Sequence, residues 1–232
     1  MSYRMQGFQI LPPVIKNLLI LNALVFFAQL TFENSATIRL DNMFALHDYH
    51  SAFFRPHQLI TYMFMHGGWG HIFFNMLAVW MFGSQLETLW GSKRFLIFYM
   101  ATGIGAGLLH LGILYFEMEP VMAQFRMLDP AQQEDLLLNP LFRVNGATVG
   151  ASGAVFGCLA AYGYLFPNNI ILVYFFPVKA KFLVIGYAAM ELYLGIQNSA
   201  GDNVAHWAHL GGALVGIILV LFWNKTNRRQ FY

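Results

Sequence analysis

Residues 149–166 read VGASGAVFGCLAAYGYLF, eighteen positions without one charged side chain. A membrane-spanning helix needs about 20 mostly apolar residues, and this stretch is close to that length. It also holds Gly150, Ser152, Gly153, Gly157 and Gly163, a poor composition for a helix with lipid on every side. Small residues let neighbouring helices approach closely. The stretch therefore predicts a helix inside a membrane bundle.

Working outward, five more segments have comparable length and apolarity, near 14–32, 69–88, 94–115, 179–198 and 204–223. Composition agrees with them. Hydrophobic residues make up 58% of the 232-residue chain and charged residues only 10%, against roughly 25% charged in soluble domains. The expected fold is all-α: a polytopic membrane bundle of six transmembrane helices in a single domain, 1–232. A short N-terminal segment (about 1–12) precedes the first span, and an outer-loop insertion runs over about 116–148. The pairs Gly103 and Gly107, Gly153 and Gly157, and Gly212 and Gly216 have small-xxx-small spacing, for which close packing is the plain reading. A single cysteine, Cys158, rules out an intrachain disulfide and suits packing. The N-terminal MSYRMQGFQILPP is not a clean signal peptide, and no small-residue cleavage site follows the apolar run after it. That run reads as a retained first span.

Basic residues give the orientation, because Lys and Arg concentrate in cytoplasmic loops. With the N-terminus inside, inner segments hold Arg4, Lys16, Lys93, Arg94, Lys179, Lys181, Lys225, Arg228 and Arg229. Outer segments hold Arg39, Arg55, Arg126 and Arg143, and most of the acids. Both termini are thus expected in the cytoplasm. The second, fourth and sixth helices then run from outside to inside. The first outer loop, about 33–68, is aromatic-rich and suited to lie in the membrane interface. The second is acidic in its middle and predicts a short surface helix after Pro130. The net charge of +2 is too small to imply a nucleic-acid partner.

Ionisable and polar residues at membrane depth are costly, so each is a functional candidate. Four stand out: His71 and Asn75 early in the second helix, Ser152 early in the fourth, and His209 early in the sixth. All three helices enter from the outer side, so the four residues share one outer level. Ser152 lies in Gly150-Ala151-Ser152-Gly153, where small neighbours admit other backbone to the hydroxyl. A serine hydroxyl needs a base to become a nucleophile, and a neutral imidazole at His209 can be one. The helix N-terminus near Ser152 carries unpaired N–H groups and favours negative charge. His71 and Asn75, four apart, share a helix face, and both donate hydrogen bonds of the kind that form an oxyanion hole. Singly, each has a bland reading: a Gly-Ala-Ser-Gly run is more often packing, and a lone histidine near an interface is usually structural. Depth and chemical complementarity together favour catalysis.

These residues resemble the landmarks of the rhomboid intramembrane serine proteases. His71-Ile72-Phe73-Phe74-Asn75 is similar to that family's His-x-x-x-Asn, and Gly150-Ala151-Ser152-Gly153 to its Gly-x-Ser-Gly. Ala208-His209 followed by Gly212 and Gly216 is similar to its Ala-His-x-x-Gly-x-x-x-Gly. The resemblance runs from about the first helix to the sixth. It implies Ser152 as nucleophile and His209 as general base, in a dyad with no acidic third member. It implies an oxyanion hole from His71, Asn75 and the Ser152 backbone N–H. Gly212 and Gly216 would bring the sixth helix to the fourth, and Glu87 resembles a structural acid. The segment 198–204 would cap the site, and the second and fifth helices would part to admit substrate. Two departures are visible. His57-Gln58 stands where many members have Trp-Arg in the first outer loop. Phe156 stands where many bacterial members have a tyrosine stacked on the histidine, so an aromatic face remains.

The expected function is hydrolysis of peptide bonds in or near transmembrane segments of protein substrates, through an acyl-enzyme. The expected partners are those substrates and membrane lipid, with no metal or cofactor. His206 competes with His209 for the role of base, and His209 is preferred because it fits the Ala-His-x-x-Gly frame. His57 and His66 read as loop residues near the site. A metalloprotease would need a motif such as His-Glu-x-x-His, which the sequence lacks. A non-catalytic relative would typically lack the serine or histidine. A transporter would spread polar residues across the midplane; here Glu191 is the main one away from the outer level, and its partner is left open. A bacterial plasma membrane is the expected location, by the lack of an organelle-targeting segment.

Overall fold

The structure, a computed structural model, describes residues 10–33, 35, 38–173, 175–197 and 204–226. Helices occupy all six expected places. The first is α1 (Pro13–Phe32). The first outer loop holds α2 (Leu40–Phe44), strand β1 (Leu46–His47) and α3 (Gln58–Thr61), which runs into a 3-10 turn (Tyr62–Phe64). The second expected span is α4 (Trp69–Ala78), a π turn (Val79–Gly83) and α5 (Ser84–Trp90) in direct succession. Then follow α6 (Ser92–Phe125), α7 (Pro130–Leu137), β2 (Ala147–Thr148), α8 (Ser152–Leu165), the hairpin β3 (Ile170–Val173) and β4 (Phe176–Lys179), α9 (Ala180–Gln197) and α10 (His206–Thr226).

Three of these helices, at Pro13–Phe32, Ser92–Phe125 and His206–Lys225, are long and apolar enough to cross a membrane. On α1, Ile20, Leu24 and Phe27 point outward and are exposed, as are Leu214, Ile218 and Phe222 on α10. Rows of exposed aliphatic and aromatic side chains on long helices need lipid, not water, around them. The protein is an integral membrane protein.

At the centre stands α8. Fourteen residues rise only about 21 Å, less than the hydrocarbon thickness, yet ten of them are buried by protein. It packs against α10, α6 and α9. Glycine makes this possible. A methyl group at Gly212 would collide with the Gly153 carbonyl oxygen, and one at Gly216 would lie 2.8 Å from the Gly157 carbonyl oxygen. The backbones of α8 and α10 are therefore in contact with no side chain between them.

Glu87, in α5, ties the starts of α1 and α6 together. Its carboxylate accepts from the Val14 N–H (3.0 Å) and the Ile15 N–H (2.9 Å), at the start of α1, where no intrahelical carbonyl is available. It also accepts from the Ser92 hydroxyl at 2.6 Å, in the first turn of α6.

The outer loops differ from the sequence reading in two respects. First, α6 does not end near 115 but continues through Pro120 to Phe125. A mid-helix proline removes one hydrogen bond at a cost of about 3 kcal/mol. Tertiary contacts offset it: Met118 is buried, and Phe125 stacks on Phe142 with centroids 5.4 Å apart. The short helix expected after Pro130 is present as α7, with Asp129 accepting from the Ala131 and Gln132 N–H groups. Second, the first loop is anchored despite its His57-Gln58. Gln58 is fully buried; it donates to the Phe53 carbonyl (2.8 Å) and accepts from the Arg55 N–H (3.1 Å). The two outer loops are joined by antiparallel pairing of β1 with β2 and by Ser51 donating to Asn145 at 2.7 Å. Between α8 and α9 the reading placed no element; the β-branched Ile170, Ile171, Val173 and Val178 form the β3–β4 hairpin there.

Candidate active site

The N-terminus of α8 and the outer half of α10 meet where their glycines allow contact. Gly150 has φ 131°, a conformation open to glycine alone without strain. Its N–H donates to the Tyr62 carbonyl at 2.9 Å, and the Tyr62 hydroxyl donates to the Gly103 carbonyl at 2.7 Å. The glycine turn is thus held from both the first long loop and α6. It delivers Ser152 to the first position of α8.

Ser152 Oγ lies 2.8 Å from His209 Nε2. Phe156, one turn along α8, stacks on the imidazole with centroids 4.3 Å apart and planes 6° from parallel. Tyr187 of α9 approaches Phe156 edge-on. Gly153 abuts Ala106 of α6, where a methyl would come within 2.5 Å of the Ala106 Cβ.

His71, on α4, comes close to the Gly150 turn. The Gly67 N–H donates to its Nδ1 at 3.2 Å, so in the neutral ring Nε2 carries the proton. A methyl added at Gly150 would lie 2.8 Å from that Nε2 and 3.5 Å from Ser152 Oγ. The bare glycine face therefore lies between the two groups. Asn75 is buried and donates to the His71 carbonyl at 3.0 Å, one turn back on its own helix. An amide has a second N–H to offer. His66 is a loop residue beside the site, as expected; it lies edge-on to His71, with centroids 5.2 Å apart, and is buried.

His206, the rival base, has a carboxylate partner. Its Nδ1 lies 2.6 Å from Glu191 Oε2. The same oxygen is 2.9 Å from Nδ1 of His209, although that N–H is not aimed straight enough at it for a regular hydrogen bond. The sequence reading left the partner of Glu191 open; a carboxylate in an apolar helix and two histidines three apart were the visible signals. His110 of α6, which no motif in the sequence marks, meets Thr148 Oγ1 at 2.9 Å. The expected capping segment, 198–204, lies outside the described residues except for Val204.

Glu191, His206 and His209 could each lend one atom to a metal ion. Ligand atoms around tetrahedral zinc stand about 3.3 Å apart, from bonds of about 2.0 Å. The contacts here, at 2.6 and 2.9 Å, are shorter and fit proton sharing better.

The family model for the Rhomboid domain matches residues 54–225. The chain belongs to the rhomboid family. It is 31% identical over 227 residues to RHOMBOID-like protein 12, mitochondrial, of Arabidopsis thaliana, covering 94% of this chain and 60% of that protein. It is 29% identical over 178 residues to Rhomboid protein 1, mitochondrial, of Saccharomyces cerevisiae, covering 74% of this chain and 43% of that protein. It is 28% identical over 212 residues to Rhomboid protease AarA of Providencia stuartii, covering 87% and 69%. The chain thus spans about half the length of the first two relatives. The matched region of the rhomboid domain contains His71, Asn75, Ser152 and His209.

Proposed function

We propose that this rhomboid is an intramembrane serine endopeptidase, cutting transmembrane segments of other membrane proteins with Ser152 and His209. The observation that carries the reading is the 2.8 Å contact between Ser152 Oγ and His209 Nε2. That is the distance at which a base takes a hydroxyl proton. Family membership and the name of the Providencia relative, a rhomboid protease, support it.

In this reading Ser152 Oγ attacks the scissile carbonyl carbon while its proton passes to His209 Nε2. The carbonyl oxygen becomes an oxyanion, received by the His71 Nε2–H, an Asn75 N–H and the first-turn N–H of α8. His209 then protonates the leaving amine, and the acyl-enzyme remains on Ser152. A water molecule, losing its proton to His209, releases the acid and restores the serine. Phe156 keeps the imidazole plane fixed through both transfers. All six helices cross the bilayer with both termini cytoplasmic, and substrate enters between α4–α5 and α9. The single membrane domain, 1–232, is part of the same reading. A bacterial plasma membrane gains no support from relatives named mitochondrial, so no particular membrane is assigned.

The test is labelling of the detergent-purified protein with a fluorophosphonate probe, alongside Ser152→Ala and His209→Ala. Labelling is expected in the unsubstituted protein alone. Equal labelling of Ser152→Ala would place the nucleophile elsewhere. A folded protein that neither labels nor cuts a model transmembrane substrate would make this a non-catalytic rhomboid.

A further inference from the structure

Behind His209, on the side away from Ser152, stands a carboxylate that the dyad does not use. Glu191 is 5% exposed in the middle of α9. A buried carboxylate is costly unless hydrogen-bonded or paired. One Glu191 oxygen faces two rings: Oε2 is hydrogen-bonded to His206 Nδ1 at 2.6 Å and lies 2.9 Å from His209 Nδ1 in a charge contact. The first contact ties the carboxylate in place from α10. The second puts its charge against the imidazole that reaches Ser152 with its other nitrogen.

We propose that Glu191 is a positioning residue for His209, which makes the working unit of this protein Ser152–His209–Glu191 instead of a dyad. The proposal rests on the serine protease reading above. Its physical content is twofold. A carboxylate at Nδ1 holds the proton there, so the Nε2 lone pair faces the Ser152 hydroxyl. When the serine proton moves to Nε2, the ring becomes an imidazolium, and a negative charge 2.9 Å away stabilises it. That attraction depends on distance, so it does not require a straight N–H···O bond. Glu191 stays ionised throughout; the proton goes from Ser152 Oγ to His209 and on to the leaving amine. His206 is the second donor that stops the carboxylate from swinging away.

The experiment compares the full-length protein with Glu191→Gln, Glu191→Asp and His206→Leu, measuring kcat and KM on a model transmembrane substrate and thermal unfolding of each. Glu191→Gln keeps the shape and removes the charge. It is expected to lower kcat by about 10²-fold or more, in keeping with the loss on neutralising a triad acid, with KM within about threefold. Glu191→Asp is expected to recover at least tenfold over Gln, and His206→Leu to lose less than Glu191→Gln. Wild-type kcat in Glu191→Gln would overturn the proposal and leave the dyad intact. So would a loss in Glu191→Gln that Asp does not relieve and that tracks a lowered unfolding temperature, since that pattern is packing. If the unsubstituted protein has no Ser152-dependent activity, the protease reading falls and takes this role with it.

Discussion

Residue 150 shows how closely the site is built. Its φ of 131° strains any residue with a Cβ, by about 1–3 kcal/mol. A methyl there would also push on His71 Nε2 from 2.8 Å. Gly150→Ala is therefore expected to slow fluorophosphonate labelling at least tenfold while the protein remains folded, and labelling at the unsubstituted rate would show the gap is not needed. Phe156 makes a gentler test. The stacking at 4.3 Å uses the ring face and no hydroxyl, so Phe156→Tyr should keep its activity, whereas Phe156→Leu should lose about tenfold in kcat, some 1.4 kcal/mol. Ser152, His209, His71 and Asn75 stand out as candidates in the sequence because polar side chains are conspicuous in apolar helices. The pairing of Glu191 does not. Its His206 partner is 15 residues away, across a segment whose course no periodicity records, and a lone sequence does not say which face of α9 meets α10.

Among the elements, α8 and α10 were the most legible, because small-xxx-small spacing has one physical use in a membrane. Their contact also gives the sharpest stability prediction. Gly212→Ala places a methyl on the Gly153 carbonyl oxygen, and overpacking of this kind costs about 1–3 kcal/mol. Gly186→Ala, in α9, meets nothing within 4 Å and should be neutral or stabilising by about 0.4–1 kcal/mol. Thermal unfolding of the two in one detergent checks the pair; equal effects would mean that helix propensity and not backbone contact governs both. The extension of α6 past Pro120 was illegible for the opposite reason. Local signals mark proline as a stop, and the contacts that override it, Phe125 on Phe142 and Met118 in the interior, come from residues distant in sequence or space. The β3–β4 hairpin fell between two apolar runs, where β-branched residues read equally well as helix ends.

At the scale of the whole molecule, the two long loops form one connected layer over the site: β1 pairs with β2, Tyr62 holds both Gly150 and Gly103, and His66 is buried beside His71 of α4. That burial carries a pH dependence. Burial pushes the His66 imidazole down to about 4, the adjoining His71 adds to the effect, and the Phe64 carbonyl opposes it. Burial lowers His47 of the same loop as well. A histidine held neutral in the folded protein binds its proton more readily when unfolded. Stability is therefore complete above the ordinary value of 6.5, declines as pH falls toward about 4, and loses nothing further from His66 below that. For His66 the ceiling is about 3 kcal/mol. The unfolding temperature in detergent is accordingly expected to drop between pH 6.5 and 4, and His66→Gln, which cannot take up a proton, should flatten much of that drop. Because the layer is continuous with the Gly150 turn, loss of labelling at Ser152 should follow the same curve. An unfolding profile in His66→Gln as steep as in the unsubstituted protein would move the acid sensitivity to other buried groups.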